Sequence, residues 1–301
     1  EGALSDAVRF KSDVPNHIFK VDLPNGVYKI TVTTGDVEST TITAEGAAQL
    51  LFMTGSNAAD SFTIPVTDGQ LNIHAGSGVG TAFSISALEI EQTEEKPTIW
   101  ACGDSTVASY YNVSADAKRG WGQYLCNYVD TDTYNIRNIS VSGIRSEKLR
   151  SSYFSTVEQY GKNGDILLLA VGINDYIDEL KAHPDAMDPT GYIANMTDMV
   201  RRAKAKGVTV YLVKQQGELA DSKAYPLMEK KWFSDAIDEI AAAEKVGIID
   251  MFHPWLEFCL EKTSIEAQNY YAPGENLHPN ALGADKLAQL VSAQLFPAEK
   301  P

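Results

Sequence analysis

The 301-residue chain is 44% hydrophobic and 22% charged, so a packed core is expected, and the length suits two domains better than one. A formal net charge of −15 disfavours nucleic acid and anionic membranes as partners, because both are held by Lys and Arg. No apolar run approaches the roughly 20 residues that span a bilayer, and the three cysteines are too few and scattered for a disulfide framework or a metal site, so Cys102, Cys126 and Cys259 are read as buried free thiols.

The first residue is Glu1 rather than Met, and no basic segment with an apolar stretch precedes it. A mature chain is expected, its export signal removed, and with it a secreted, extracellular protein. Residues 1–94 are rich in Thr, Val, Ile, Gly and Asn. In "GVYKITVTTG" the residues Tyr28, Ile30 and Val32 fall on one face and Val27, Lys29, Thr31 and Thr33 on the other, the period of a strand. "DSFTIPVTDGQLNIHAG" places two alternating runs around Asp68-Gly69, a hairpin-favouring pair, and "FSISALEIEQ" alternates again. No long helical pattern intervenes, so 1–94 is expected to be a small all-β jelly-roll domain.

"QTEEKP", ending at Pro97, reads as a joint. From residue 97 to 301 short apolar strands alternate with amphipathic helices. "TIWA", "YNIRNIS", "DILLLAVG", "VTVYLVK" and "GIIDMF" are the strands. The helices are "GWGQYLCNYV", "SEKLRSSYFSTVEQYG", then, after a long loop, "PTGYIANMTDMVRRAKAKG", followed by "PLMEKKWFSDAIDEIAAAEKVG", "PWLEFCLEKTS" and "NALGADKLAQLVSAQL". This pattern predicts an α/β domain: a parallel sheet covered on both faces, a flavodoxin-like three-layer α/β/α arrangement.

In such sheets the site gathers at the loops beyond the strands' C-terminal ends. Those loops carry Gly103-Asp104-Ser105, then "NISVSGIRS" with Asn138, Ser142, Gly143 and Arg145, then "GIND", then "KQQGELAD". The last helix is preceded by "GENLHPN". Acyl transfer by a serine needs a hydroxyl, an imidazole, a group to orient the imidazole, and donors for the oxyanion. Ser105, His278 and Glu275 can supply the first three. The N–H groups of Ser105 and Gly143 and the amide of Asn174 can supply the donors. Taken one at a time these residues have plainer readings, as a helix-capping serine, a loop histidine, a turn glycine and an Asx-turn asparagine.

Ser105 in "GDST", Gly143 in "NISVSG", Asn174 in "GIND" and His278 in "ENLHPN" stand in the order of the four blocks of the GDSL, or SGNH, hydrolase superfamily, which the chain resembles over residues 97 to 296. "GDSTV", "GWGQ" and "HPNALGA" look most like its rhamnogalacturonan acetylesterase branch. The resemblance implies a serine esterase that removes acetyl groups from plant cell-wall polysaccharide, with an acetylated polysaccharide or oligosaccharide as partner and no metal or organic cofactor. The alternatives are a general short-chain acyl esterase or lipase, and a non-catalytic carbohydrate-binding protein on the same fold. The family usually has Asp three residues before the histidine; here Glu275 stands there, and either its carboxylate or a backbone carbonyl would orient the ring. The all-β segment resembles galactose-binding-like modules attached to such esterases, which implies glycan binding or packing against the catalytic domain. Trp121, Gln123, Arg145 and Tyr271 are substrate-contact candidates, although aromatic side chains also fill cores. Asp104 and Asp175 are read as loop braces. His253 is read as a packing or capping residue, and His17, His74 and His183 lack a matching neighbourhood.

Overall fold

Strand-period alternation builds the first part of the molecule. The computed structural model describes residues 8–10, 18–36, 39–76, 83–217 and 232–297. His17 and the segment 218–231, including the start of the helix expected from Pro226, lie outside them. The chain divides into a unit of residues 1–96 with 110–113 and a second of 97–109 with 114–301.

The first unit is built of antiparallel strands: β1 (Val8–Phe10), β2 (Ile18–Asp22), β3 (Gly26–Thr33), β4 (Ser39–Ala44), β5 (Ala47–Thr54), β6 (Ala59–Val66), β7 (Gln70–Gly76), β8 (Phe83–Ile85) and β9 (Ala87–Thr93). They form sheets in the orders β2-β7-β4-β5, β6-β3-β9 and β1-β8. As expected, Tyr28, Ile30 and Val32 of β3 are buried while Lys29 is exposed. The Asp68-Gly69 pair does not close a hairpin. β6 pairs with β3 whereas β7 pairs with β2 and β4, so the turn steps from one sheet to another. The reason is local. At Glu45-Gly46 both residues have positive φ (51° and 79°), the mirror-image turn that a two-residue hairpin needs, and β4 and β5 pair there. At Asp68-Gly69 only the glycine does.

The second unit holds a five-stranded parallel sheet: β10 (Thr98–Gly103), β11 (Asn135–Asn138), β12 (Ile166–Ala170), β13 (Thr209–Lys214) and β14 (Gly247–Asp250), ordered β11-β10-β12-β13-β14. This is the flavodoxin-like order, which reverses between β10 and β12 and opens a crevice there. Its helices are α1 (Ser146–Lys148), α2 (Ser155–Tyr160), α3 (Ile173–Ala182), α4 (Thr190–Ala205), α5 (Trp232–Glu244), α6 (Phe252–Leu260), α7 (Ser264–Gln268) and α8 (Ala281–Leu295). Every residue of β10 is buried, as a strand covered on both faces requires. Leu168, Ala170, Val213 and Ile249 pack with Trp255 of α6 and Leu287 and Val291 of α8. On the other side α4 and α5 cover β13.

Three expectations change. The long loop after Gly172 is largely α3, which starts at once with Ile173. The "GWGQYLCN" segment is a 3₁₀ turn, Trp121–Asn127, rather than an α-helix. Finally, Cys126 on that turn is exposed, while Cys102 and Cys259 are buried.

Candidate active site

β10 delivers the nucleophile candidate into a tight turn. Val107 and Ala108 donate their N–H groups to Asp104 O at 3.1 and 3.0 Å. The Asp104 carboxylate is fully buried. Its Oδ1 accepts from Thr106 N at 3.0 Å and from Thr106 Oγ1 at 2.9 Å, and its Oδ2 from Gln215 Nε2 at 2.9 Å. Burial pushes the Asp104 carboxyl above its usual range, against the pull of those hydrogen bonds and of nearby His278. Asn138 donates to Val107 O at 2.8 Å and holds the next turn. Asp104 is thus a loop brace, as its sequence position suggested.

The imidazole arrives from the other end of the chain. Ala272 N donates to His278 O at 2.9 Å, and Arg119 N donates to Pro279 O at 2.8 Å. Asn280 caps α8 by accepting from Gly283 N at 3.2 Å, while its Nδ2 donates to Asn269 O and Tyr271 O. Gly283 allows this seat, since a Cβ there would lie 2.0 Å from Tyr270 O. So anchored, His278 Nε2 lies 2.9 Å from Ser105 Oγ across 173 residues of sequence. Its Nδ1 bonds to Glu275 Oε2. With Glu275 ionised, Nδ1 carries the proton and Nε2 is free to accept one from the serine. The Glu275 backbone is itself held: Gln268 Nε2 donates to its carbonyl at 3.0 Å.

The donor candidates sit on the neighbouring strand ends. Val141 N donates to Gly103 O at 3.0 Å, setting the 141–145 loop beside the nucleophile turn. Gly143 has φ 75°, and a Cβ there would meet nothing within 4 Å, so glycine serves the backbone angle rather than the space. Among the described residues its N–H has no acceptor. Asn174, in the first turn of α3, donates to Ile144 O at 2.9 Å with one of its two amide hydrogens. The next residue, Asp175, accepts from Ser146 N at 2.9 Å and from Ser146 Oγ at 2.5 Å, tying α3 to α1. Burial pushes the Asp175 carboxyl up, opposed by those hydrogen bonds.

Two substrate-contact candidates are corrected. Trp121 is fully buried and belongs to the core packed between the sheet and α8. Tyr271 is also buried; its hydroxyl accepts from Trp255 Nε1 at 2.6 Å and donates to Gly217 O at 3.1 Å, so it supports the loop from below. Gln123 is partly exposed. Arg145 is half exposed, two residues beyond Gly143, with Nη1 3.4 Å from Asp178 Oδ2 of α3. His253 is a surface residue whose Nδ1 lies 2.5 Å from Asp250 Oδ2. Thr106 and Gln215 escaped the sequence reading. Polar loop residues are expected outside, and only their burial marks them. Among the described residues no three His, Cys, Asp or Glu side chains are grouped to hold a metal ion, and no helix is long and apolar enough to cross a membrane.

Residues 1–91 match the family model described as beta-agarase/YXIM esterase-like, galactose-binding domain-like, and residues 101–286 match the GDSL-like lipase/acylhydrolase family. The protein named uncharacterized esterase YxiM of Bacillus subtilis is 37% identical, the alignment covering 98% of this chain and 78% of that one. The crystal structure of the Bacillus subtilis YxiM protein superposes with a TM-score of 0.89, covering 98% of this chain and 84% of that one at 36% identity. The protein named probable rhamnogalacturonan acetylesterase YesY, from the same bacterium, is 25% identical over 64% of this chain and 90% of its own. Axe2, an acetylxylan esterase from Geobacillus stearothermophilus, shares the fold at 15% identity and a TM-score of 0.51, over 67% of this chain and 95% of that one. The chain belongs to the GDSL-like lipase/acylhydrolase family, as an esterase whose hydrolase domain follows a galactose-binding domain-like region.

Proposed function

We propose that this esterase removes O-acetyl groups from a cell-wall polysaccharide through a serine-bound acyl intermediate. The observation that carries the reading is the run from Glu275 to His278 Nδ1 and from His278 Nε2 to Ser105 Oγ at 2.9 Å. In the first half-reaction Ser105 Oγ bonds to the acetyl carbon and its proton passes to His278 Nε2. The oxyanion is held by the N–H groups of Ser105 and Gly143 and the second amide hydrogen of Asn174. Collapse breaks the bond to the sugar oxygen, which leaves with the proton from Nε2. Water then repeats the sequence on the acetyl-enzyme, releasing acetate and restoring Ser105. Glu275 orients the imidazole and balances its transient charge.

The acetyl-carbohydrate specificity rests on the similarity to a rhamnogalacturonan acetylesterase-like and an acetylxylan esterase-like hydrolase. Arg145, paired with Asp178 at the edge of the Gly143 loop, and the partly exposed Gln123 are the proposed contacts to sugar hydroxyls or a uronate. A polymeric substrate also accounts for a galactose-binding-like module and would be met outside the cell. The test is acetate release from acetylated pectin, xylan and glucomannan, run beside Ser105→Ala. Release by the wild type and none by the variant is expected; a variant that keeps most of its activity overturns the mechanism. On p-nitrophenyl esters a steep fall beyond acetate is expected, and a flat series would favour a general acyl esterase.

A further inference from the structure

Gln215 lies one residue beyond the end of β13, two strands from the nucleophile, yet its side chain reaches under the Ser105 turn. Its Nε2 is 2.9 Å from Asp104 Oδ2 and 3.1 Å from Thr106 Oγ1. Thr106 Oγ1 is in turn 2.9 Å from Asp104 Oδ1. The Thr106 hydroxyl has one hydrogen. It donates that hydrogen to the carboxylate, so it must accept from the amide. Both amide hydrogens are then used, and the three groups close a ring: Nε2 to Oδ2, Nε2 to Oγ1, and Oγ1 to Oδ1. Gln215, Asp104 and Thr106 are all buried. Turned over, the amide would aim its oxygen at the Asp104 carboxylate, acceptor against acceptor, so the orientation with Nε2 inward is the favourable one. Among the described residues Gln215 Oε1 is buried without a hydrogen-bond partner.

We propose that Gln215 is a positioning residue for the reaction: its NH₂ group clamps Asp104 and Thr106, the two residues flanking Ser105, and so fixes the nucleophile on the line to His278. The proposal rests on the reading of Ser105 as nucleophile. A single nitrogen bearing two hydrogens is what the ring requires, so neither an apolar nor an acceptor side chain substitutes for it. The clamp also holds the Asp104 carboxyl where nearby His278 pulls against the effect of burial. The other titratable groups acting with Asp104 are Asp175 of α3 and Tyr192 of α4; Tyr192 donates its hydroxyl to Val171 O. Glu275 approaches His278 from its own loop.

Two variants test this. Gln215→Met keeps the volume and removes both donors. It is expected to lower kcat on p-nitrophenyl acetate roughly ten- to hundred-fold, the loss of hydrogen bonds to a charged group, with KM within about threefold. The rate of inactivation by a fluorophosphonate should fall in step, since that reagent bonds to the activated serine without a turnover step. Gln215→Glu makes the dependence on a proton visible. Protonated, the new carboxyl donates to Asp104; ionised, it repels it. Its kcat relative to wild type should therefore fall as pH rises from about 5 to about 8, the range above ordinary carboxylate titration. Both are compared with Ser105→Ala. If Ser105→Ala is inactive while Gln215→Met keeps kcat and phosphonate reactivity within twofold and Gln215→Glu parallels the wild-type profile, the clamp is refuted and the nucleophile stands. If Ser105→Ala is active, the nucleophile reading fails and the clamp falls with it. Should Gln215→Met not fold, the Gln215→Glu profile decides.

Discussion

Replacing Glu275 by Gln measures how much the imidazole depends on its carboxylate. The His278 backbone is anchored independently, by Ala272 N on its carbonyl and Arg119 N on the next. Gln268 also holds the Glu275 carbonyl at 3.0 Å. The variant therefore keeps the loop and, through the amide oxygen, an acceptor for Nδ1–H. What it loses is charge. A hydrogen bond to a charged partner contributes about 1.5–3 kcal/mol. The Glu275 side chain is 41% exposed and that of His278 20%, so solvent screening sets the value near the low end. About 1.5 kcal/mol corresponds to roughly a ten-fold fall in kcat. That is far less than the roughly 10⁴-fold cost of neutralising a buried triad aspartate. Glu275→Ala, which also removes the acceptor, should fall further. The assay is kcat on p-nitrophenyl acetate at saturating substrate, with Ser105→Ala as the floor. A loss under twofold would mean that the carboxylate idles; one near 10⁴-fold would mean that exposure has not weakened it. Either refutes the reasoning.

Asn174→Ala removes the amide proposed for the oxyanion and the 2.9 Å bond that steadies the Gly143 loop; kcat should drop roughly 10²- to 10³-fold with little change in KM. Asp175→Asn tests the buried carboxylate by pH. Its folded-state pKa is raised by burial, so the ionised form costs the fold stability, a cost absent below the unfolded value near 4 and fully present above the raised one. The Tm advantage of wild type over Asp175→Asn should therefore shrink as pH rises from acid toward neutral, and thermal melts showing it growing would contradict the assignment. Cys126 is exposed and Cys102 and Cys259 are buried, with burial pushing the Cys102 thiol far up; a thiol-reactive dye should titrate one cysteine per native chain and three after unfolding.

Much of this could be read before any coordinates. Parallel strands covered on both faces are largely continuous apolar runs, and "DILLLAVG" and "VTVYLVK" announced themselves as such. Ser105, Gly143, Asn174 and His278 could be proposed as a site because they fall in loops beyond strand ends or ahead of the last helix, and the structure brings Ser105 and His278 together. The failures, one excepted, have physical causes. α3 buries only Ile173, yet Ile173, Tyr176, Ile177 and Leu180 stand at the i, i+3, i+4, i+7 spacing of an amphipathic helix, so this helix was legible and the long loop was a misreading. Trp121 and Tyr271 were ambiguous because a ring's apolar body suits a core as well as a sugar face. Gln215 and Thr106 lie in "KQQGELAD" and "GDST", loops the sequence does mark, but nothing in the sequence pairs them. Their proposed role comes from a burial that depends on β10 lying next but one to β13, a fact of topology rather than of local pattern.

Synthesis runs from the amino end, so Ser105 leaves the ribosome long before the loop that completes it. The 173 residues between the two take roughly 9–35 s to make at ordinary elongation rates. During that interval the growing chain has a hydroxyl with no base to activate it. In the proposed mechanism hydrolytic power therefore appears only when α8 has docked, and a product cut short ahead of His278 is expected to be inert toward esters.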